Sequence, residues 1–192
     1  MSECIQLEKR TVQLDFGKIP VVVVRQNKWK IRVKEELGHF LLIDADDCGE
    51  MFVFASLFQH ALRSRDVIFL QREDAGCTNL FAFNGAVHPL TRKDMRNIMR
   101  SLRFVKAEPV RVPLLRSHDE SVWDTWQHWK YDEQLSIKAD RDLAVINASR
   151  LGLELLVHVC AFLAVSYAGH SHVNRETTPS SPELIIRNIA RN

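Results

Sequence analysis

Only seven glycines are spread over the 192 residues, and no GxGxxG, Walker or GxSxG sequence occurs among them. That excludes the glycine-rich loops that cradle phosphates and the strained turn that presents a hydrolase serine. The four cysteines, Cys4, Cys48, Cys77 and Cys160, stand far apart, with no CxxC pair. Structural zinc sites draw ligands in close pairs, and small secreted folds need dense disulfides, so neither is expected. Free thiols in a reducing, intracellular compartment are the expectation. No two histidines have the i, i+4 spacing around a glutamate that a zinc-protease helix uses, so no metal and no cofactor is assigned.

Long apolar runs are equally scarce. Leu151–Ala168 is the nearest to one, at eighteen residues, but Gly152 opens it and Glu154 and His158 interrupt it. A bilayer span needs about 20 residues, and an interior carboxylate adds a penalty of a few kcal/mol, so a helix covered by protein is expected and no membrane partner. The segment from Met1 to Arg10 has acids and no apolar stretch, so neither a secretory signal nor an Arg-rich transit peptide is expected there.

What is present is patterning of two kinds. Thr11–Phe16 alternates, Ile19–Arg25 holds the β-branched run Val21–Val24, and in Trp29–Lys34 the apolar Trp29, Ile31 and Val33 alternate with Lys30, Arg32 and Lys34. His39–Ile43, Val67–Leu70 and Leu80–Phe83 also read as strands. Glu50–Ser64 carries a helical stripe of Met51, Phe54, Leu57, Phe58 and Ala61. A second helix over 91–104 opens on Thr91 with Asp94 three residues on, a capping-box variant.

Strands then a helix, twice over, predict an α+β fold. Two such units would form one curved antiparallel sheet backed by helices over residues 1–108. Pro109 and Pro113 mark a linker. Residues 109–192 then read as a helical extension: a Trp-rich turn at Val122–Tyr131, an apolar stretch from Leu143 to Tyr167, a mobile polar tail at Gly169–Pro182 and a short helix at Glu183–Ala190.

Charge is nearly balanced, 26 Lys and Arg against 24 acids, but unevenly placed. Arg92, Lys93, Arg96, Arg100, Arg103 and Lys106 meet Asp94 as the sole acid of their segment, and Arg25, Lys28, Lys30, Arg32 and Lys34 form a second concentration. Such faces suit a phosphate backbone, where counterion release gives sequence-independent affinity. Phe16, Trp29, Phe40, Phe69, Phe81 and Phe83 lie on the expected strands, where an aromatic ring can stack a base or fill the core.

The segment Lys28-Trp-Lys-Ile-Arg-Val-Lys-Glu-Glu-Leu-Gly-His-Phe-Leu-Leu-Ile43 resembles the central part of a PUR repeat: a basic aromatic strand, an acidic turn closing on Gly, and an aromatic–aliphatic strand, followed by a helix. The resemblance covers about residues 11–104, and residues 28–43 at motif level. In the second unit only Gly76 followed by an aromatic strand to Phe83 corresponds, without the basic strand. PUR and Whirly domains pair two strands-then-helix units and bind single-stranded DNA or RNA on their sheets. The resemblance therefore implies a non-enzymatic binding protein for RNA or single-stranded DNA, an accessory of a larger assembly. Its phosphate contacts would be Arg25, Lys28, Lys30, Arg32 and Lys34 on the sheet and Arg92, Lys93, Arg96, Arg100 and Arg103 on the helix.

Two other readings stay open. In the first, the chain is a non-catalytic structural or adaptor subunit, binding proteins or itself through Trp123, Trp126 and Trp129 and through the apolar helix, which needs cover on all sides. In the second, Asp44, Asp46 and Asp47 with Lys34 or Glu73 hold magnesium as a nuclease centre.

Overall fold

Four consecutive valines need a strand covered on both faces, and Val21–Val24 occupy one. The computed structural model describes residues 3–126, 135–173 and 181–191. In chain order the elements are β1 (Cys4–Leu14), β2 (Gly17–Arg25), β3 (Ile31–Glu36), β4 (Phe40–Ala45), α1 (Cys48–Ser64), β5 (Val67–Gln71), β6 (Asn79–Asn84), α2 (Arg92–Ser101), β7 (Glu108–Pro113), α3 (Glu120–Trp126), β8 (Leu135–Ala139), β9 (Leu143–Ala148), α4 (Arg150–Val165), β10 (His170–Val173) and β11 (Glu183–Asn188). A 3-10 turn, Leu102–Phe104, extends α2.

The α+β class is as expected, but the strands form two sheets, and both are mixed. One has seven strands in the order β7-β1-β2-β5-β6-β9-β8, the other four in the order β10-β11-β4-β3. The expected single antiparallel sheet is corrected by three parallel pairs, β2 with β5, β6 with β9, and β4 with β11. Each parallel pair is separated in sequence by a long crossover that includes a helix, as parallel strands require.

The two sheets enclose α1 and α4. One cluster of buried side chains joins Val22, Ile68 and Ile146 of the large sheet, Phe54 and Phe58 of α1, Leu156 and Leu163 of α4, and Ile43 and Ile186 of the small sheet. A second cluster lies on the far face of the large sheet, where Val21, Phe69, Phe81 and Val145 meet Met95, Ile98 and Leu102 of α2 and its 3-10 turn. The layers are therefore small sheet, helices α1 and α4, large sheet, and α2. Over most of their length the central strands β2, β5, β6 and β9 bury side chains on both faces, and their sequences run apolar without alternation.

The expected helical extension at 109–192 is corrected as well, because this part of the chain adds strands to both sheets. Residues 109 and 113, read as a linker, are prolines of β7, an edge strand where a missing N–H leaves no gap in the ladder. The apolar stretch from Leu143 is strand β9 followed by α4, with Ser149 accepting a hydrogen bond from the Gly152 N–H at 3.1 Å as N-cap. A short apolar run has the same composition whether it fills a buried strand or a buried helix. Glu183–Asn188, read as a helix, alternates Leu184, Ile186 and Asn188 inward as the strand beside β4. Of the segment expected to be a mobile tail, His170–Val173 forms β10, and residues 174–180 lie outside the described residues.

Candidate nucleic-acid interface

The cations expected to act together are divided by this layering. Arg32 and Lys34 stand on the outer face of the small sheet, since Ile31 and Val33 between them point into the core. There Arg32 is opposite Asp44, and Asp44 is also beside Arg187 on β11. Arg187 holds Asp44 with two hydrogen bonds, 2.6 and 2.8 Å, and Arg32 is ion-paired with Asp46. Lys30 is not on a strand at all: it sits in the turn between β2 and β3, at φ 47°.

The three aspartates offered as a magnesium cluster are each engaged in this framework. Asp47 is the N-cap of α1, accepting from the Gly49 and Glu50 N–H groups at 2.6 and 3.2 Å. Its hydrogen bond with Glu50 lowers its carboxyl pKa, while burial and then Asp47 raise that of Glu50. Among the described residues no group of three His, Cys, Asp or Glu is arranged to hold a metal ion. Cys77 and Cys160 are buried, and burial pushes the Cys160 thiol pKa up.

On the other side of the molecule α2 packs Met95 and Ile98 on the large sheet and turns its basic residues outward. Its start is the capping box read in the sequence, with the Thr91 hydroxyl and the Asp94 carboxylate each satisfying the other's backbone N–H. Arg92 is ion-paired with Asp140. Lys93, Arg96, Arg100 and Arg103 are exposed and make no ion pair among the described residues. Arg92, Arg96 and Arg100 follow at i, i+4, a like-charge ladder that costs a helix about 0.2–0.5 kcal/mol per pair.

Beside the C-terminal end of this ridge lies a groove of about 530 Å³ on the uncovered part of the large sheet. Arg10, Arg25, Arg72 and Arg103 line it, with Phe69 and Met99. Two of its cations also hold the fold: Arg10 donates to the Leu102 and Val105 carbonyls at 2.6 and 2.8 Å and pairs at 3.0 Å with Glu8, an acid of the same lining, and Arg72 pairs with Asp142 at 3.0 Å. Arg25 is 4.0 Å from Glu73 and 60% exposed, and Arg103 lies over the Phe104 ring, 4.6 Å from its centroid. A smaller cavity of about 220 Å³ adjoins it, where Arg25 and Lys28 meet Trp29.

So the fold gathers Arg25, Lys28 and Arg103, from two separate stretches of sequence, and leaves Lys30, Arg32 and Lys34 elsewhere. Sequence reasoning missed Arg10, Arg72 and Phe104. Arg72 is brought beside Arg25 by the parallel pairing of β2 and β5, which no local pattern announces. Phe104, 78% exposed, follows a basic helix and could have been noticed there. Of the aromatics expected on strands, Phe69, Phe81 and Phe83 are core, while Phe16 is exposed in the turn after β1.

Of the tryptophans and the apolar helix expected to face a partner, Trp126 and α4 pack within the chain. Trp126 stacks on His158 of α4, with centroids 5.2 Å apart, and burial lowers the His158 pKa against the partial opposition of Glu154. The backbone of Trp123 is on α3, and Trp129 lies outside the described residues. The apolar circumference of α4 is covered by α1 and the two sheets within the same chain. No described helix is long and apolar enough to cross a membrane. No family model, curated protein or solved structure matches this chain.

Proposed function

We propose that the chain binds RNA or single-stranded DNA, without catalysis, along the basic ridge of α2 and the groove beside it. The observation that carries this reading is the row Lys93, Arg96, Arg100 and Arg103, exposed and without carboxylate partners among the described residues. A helix that bears like charges at i, i+4 gains when polyanion phosphates replace small counterions. Arg25 and Lys28 extend the positive surface across the groove, beside Arg10 and Arg72, whose charges Glu8 and Asp142 offset. Phe104 at the end of the ridge is the exposed ring on which a base can stack, a contact worth about 1–3 kcal/mol. An accessory role within a ribonucleoprotein assembly fits a binding surface of this kind.

Retention of a labelled single-stranded oligonucleotide at two salt concentrations tests the proposal. Affinity should fall with salt, by a log–log slope of roughly −0.7 for each phosphate neutralised. Phe104→Ala should weaken single-strand binding about fivefold and leave duplex binding unchanged, which corresponds to about 1 kcal/mol. Absence of retention at low salt, or retention indifferent to salt, would refute the reading.

A further inference from the structure

A second cavity lies on the opposite flank of α2, away from the groove. It has a volume of about 450 Å³ and is bounded by the start of α2 and by β6, β8 and β9. Its floor is apolar: Phe83, Leu143 and Val145 of the large sheet, with Met95 and Leu90 from the α2 side. Onto this floor the strand register brings polar groups in two rows. Phe83, Asn147 and Ser136 are neighbours across β6, β9 and β8, and Lys138 stands opposite Val145 in the next row on the same face, about 7 Å along.

Three features make this a built site rather than a dent in the surface. Half-buried Asn147 and the exposed Ser136 and Lys138 line the cavity, and none of their side chains is engaged by another described residue, so all three are available to a ligand. Asn147 depends on a glycine across the sheet: a Cβ at position 85 would fall 1.9 Å from the Asn147 Oδ1. Gly85 therefore makes room for the carboxamide where it lies. At the mouth, Arg92 is fixed by Asp140 yet remains 46% exposed, so a second cation stands near Lys138.

The chemistry of the lining selects a ligand class. An apolar floor suits the face of a ring, and a carboxamide offers one donor and one acceptor side by side, which matches the edge of a nucleobase. Lysine and arginine at the rim suit a phosphate. We propose that this cavity binds one nucleotide, its base on the Phe83–Val145 floor against Asn147 and its phosphate at Lys138 and Arg92. The nucleotide is either free or a unit of a bound strand. The cavity does not depend on the ridge of α2 being a polymer site.

The test is calorimetric titration of the full chain with AMP, GMP, CMP and UMP in turn, alongside oligonucleotide retention. At least one nucleotide should bind saturably. Asn147→Leu and Lys138→Glu should each weaken it about tenfold, with folding checked by circular dichroism. Gly85→Ala, which displaces the carboxamide without removing it, should weaken it as well. If Asn147→Leu also weakens oligonucleotide retention, the cavity takes a nucleotide of the strand; if retention is unchanged, it takes a free one, and both results uphold the site. Nucleotide binding in a chain that retains no oligonucleotide would refute the polymer reading and uphold the cavity. No saturable binding of any of the four, or binding that survives all three substitutions, would overturn the proposal.

Discussion

The two cationic regions differ in what surrounds them rather than in how many charges they hold. On the small sheet, strand register sets Asp44 between Arg32 and Arg187, and the turn after β4 supplies Asp46 to Arg32. On α2, the neighbours of Arg96 at i−4, i−3 and i+4 are Arg92, Lys93 and Arg100. Arg32 and Arg187 are committed to carboxylates of their own framework, whereas Lys34 beside them makes no ion pair among the described residues. The ridge of α2 is left to the solvent, at a small cost in helix stability. A count of basic residues does not distinguish these cases; the carboxylates within reach do.

Substitutions that break the comparison differ in size. Arg187→Ala should have the largest effect on stability, because it leaves the carboxylate of Asp44, 3% exposed, without its guanidinium. Removing one partner of a fully buried pair costs about 3–5 kcal/mol; with Arg187 itself 29% exposed, a loss of about 2 kcal/mol is expected in urea unfolding. Oligonucleotide retention below the melting temperature should be unaffected.

Asp66 provides a pH-dependent version of the same commitment. It is 2% exposed, with His60 at 2.8 Å and Lys9 at 3.0 Å. Burial raises its pKa, but the hydrogen bonds from His60 and Lys9 outweigh burial and hold it below the ordinary aspartate value. A carboxyl whose folded pKa is depressed contributes stability that is fully present above its unfolded pKa, near 3.9, and is lost as pH falls through the folded value. Urea midpoints should therefore fall below about pH 4 in the wild type. Asp66→Asn should remove that part of the acid dependence while lowering stability at neutral pH.

The smallest effect belongs to Arg32. Its pair with Asp46 is about one third exposed on each side, and such pairs contribute about 0.2–1 kcal/mol. Arg32→Gln should move the urea midpoint by no more than that, and should leave retention as it was.

Much of the first hundred residues was legible in the sequence because its signals are local. Thr91 with Asp94 announced the start of α2, and the stripe Met51, Phe54, Leu57, Phe58 and Ala61 announced α1. The alternation of Ile31 and Val33 with Arg32 and Lys34 gave the correct faces of β3. Trp29 and Lys30, read as part of that strand, precede it in a turn. What escaped was long-range. The segment expected as a helix over Glu183–Ala190 is strand β11 over 183–188: an apolar run as short as Leu184-Ile185-Ile186 fits either element, and the partner that decides it, β4, lies about 140 residues earlier. The division of strands between two sheets, and with it the separation of Arg32 from Arg103, depends on such pairings and has no local signature. The same holds for the cavity at Asn147, which needs Gly85 across a parallel pair.

The most direct test sets the two regions against each other in one assay. Single-stranded oligonucleotide retention is measured for the wild type, for a chain with Arg96, Arg100 and Arg103 all changed to Glu, and for one with Lys30, Arg32 and Lys34 all changed to Ala. The account predicts at least a tenfold loss, about 1.4 kcal/mol, with a shallower salt dependence for the first variant, and wild-type retention for the second. Retention lost in the second variant and kept in the first would contradict it.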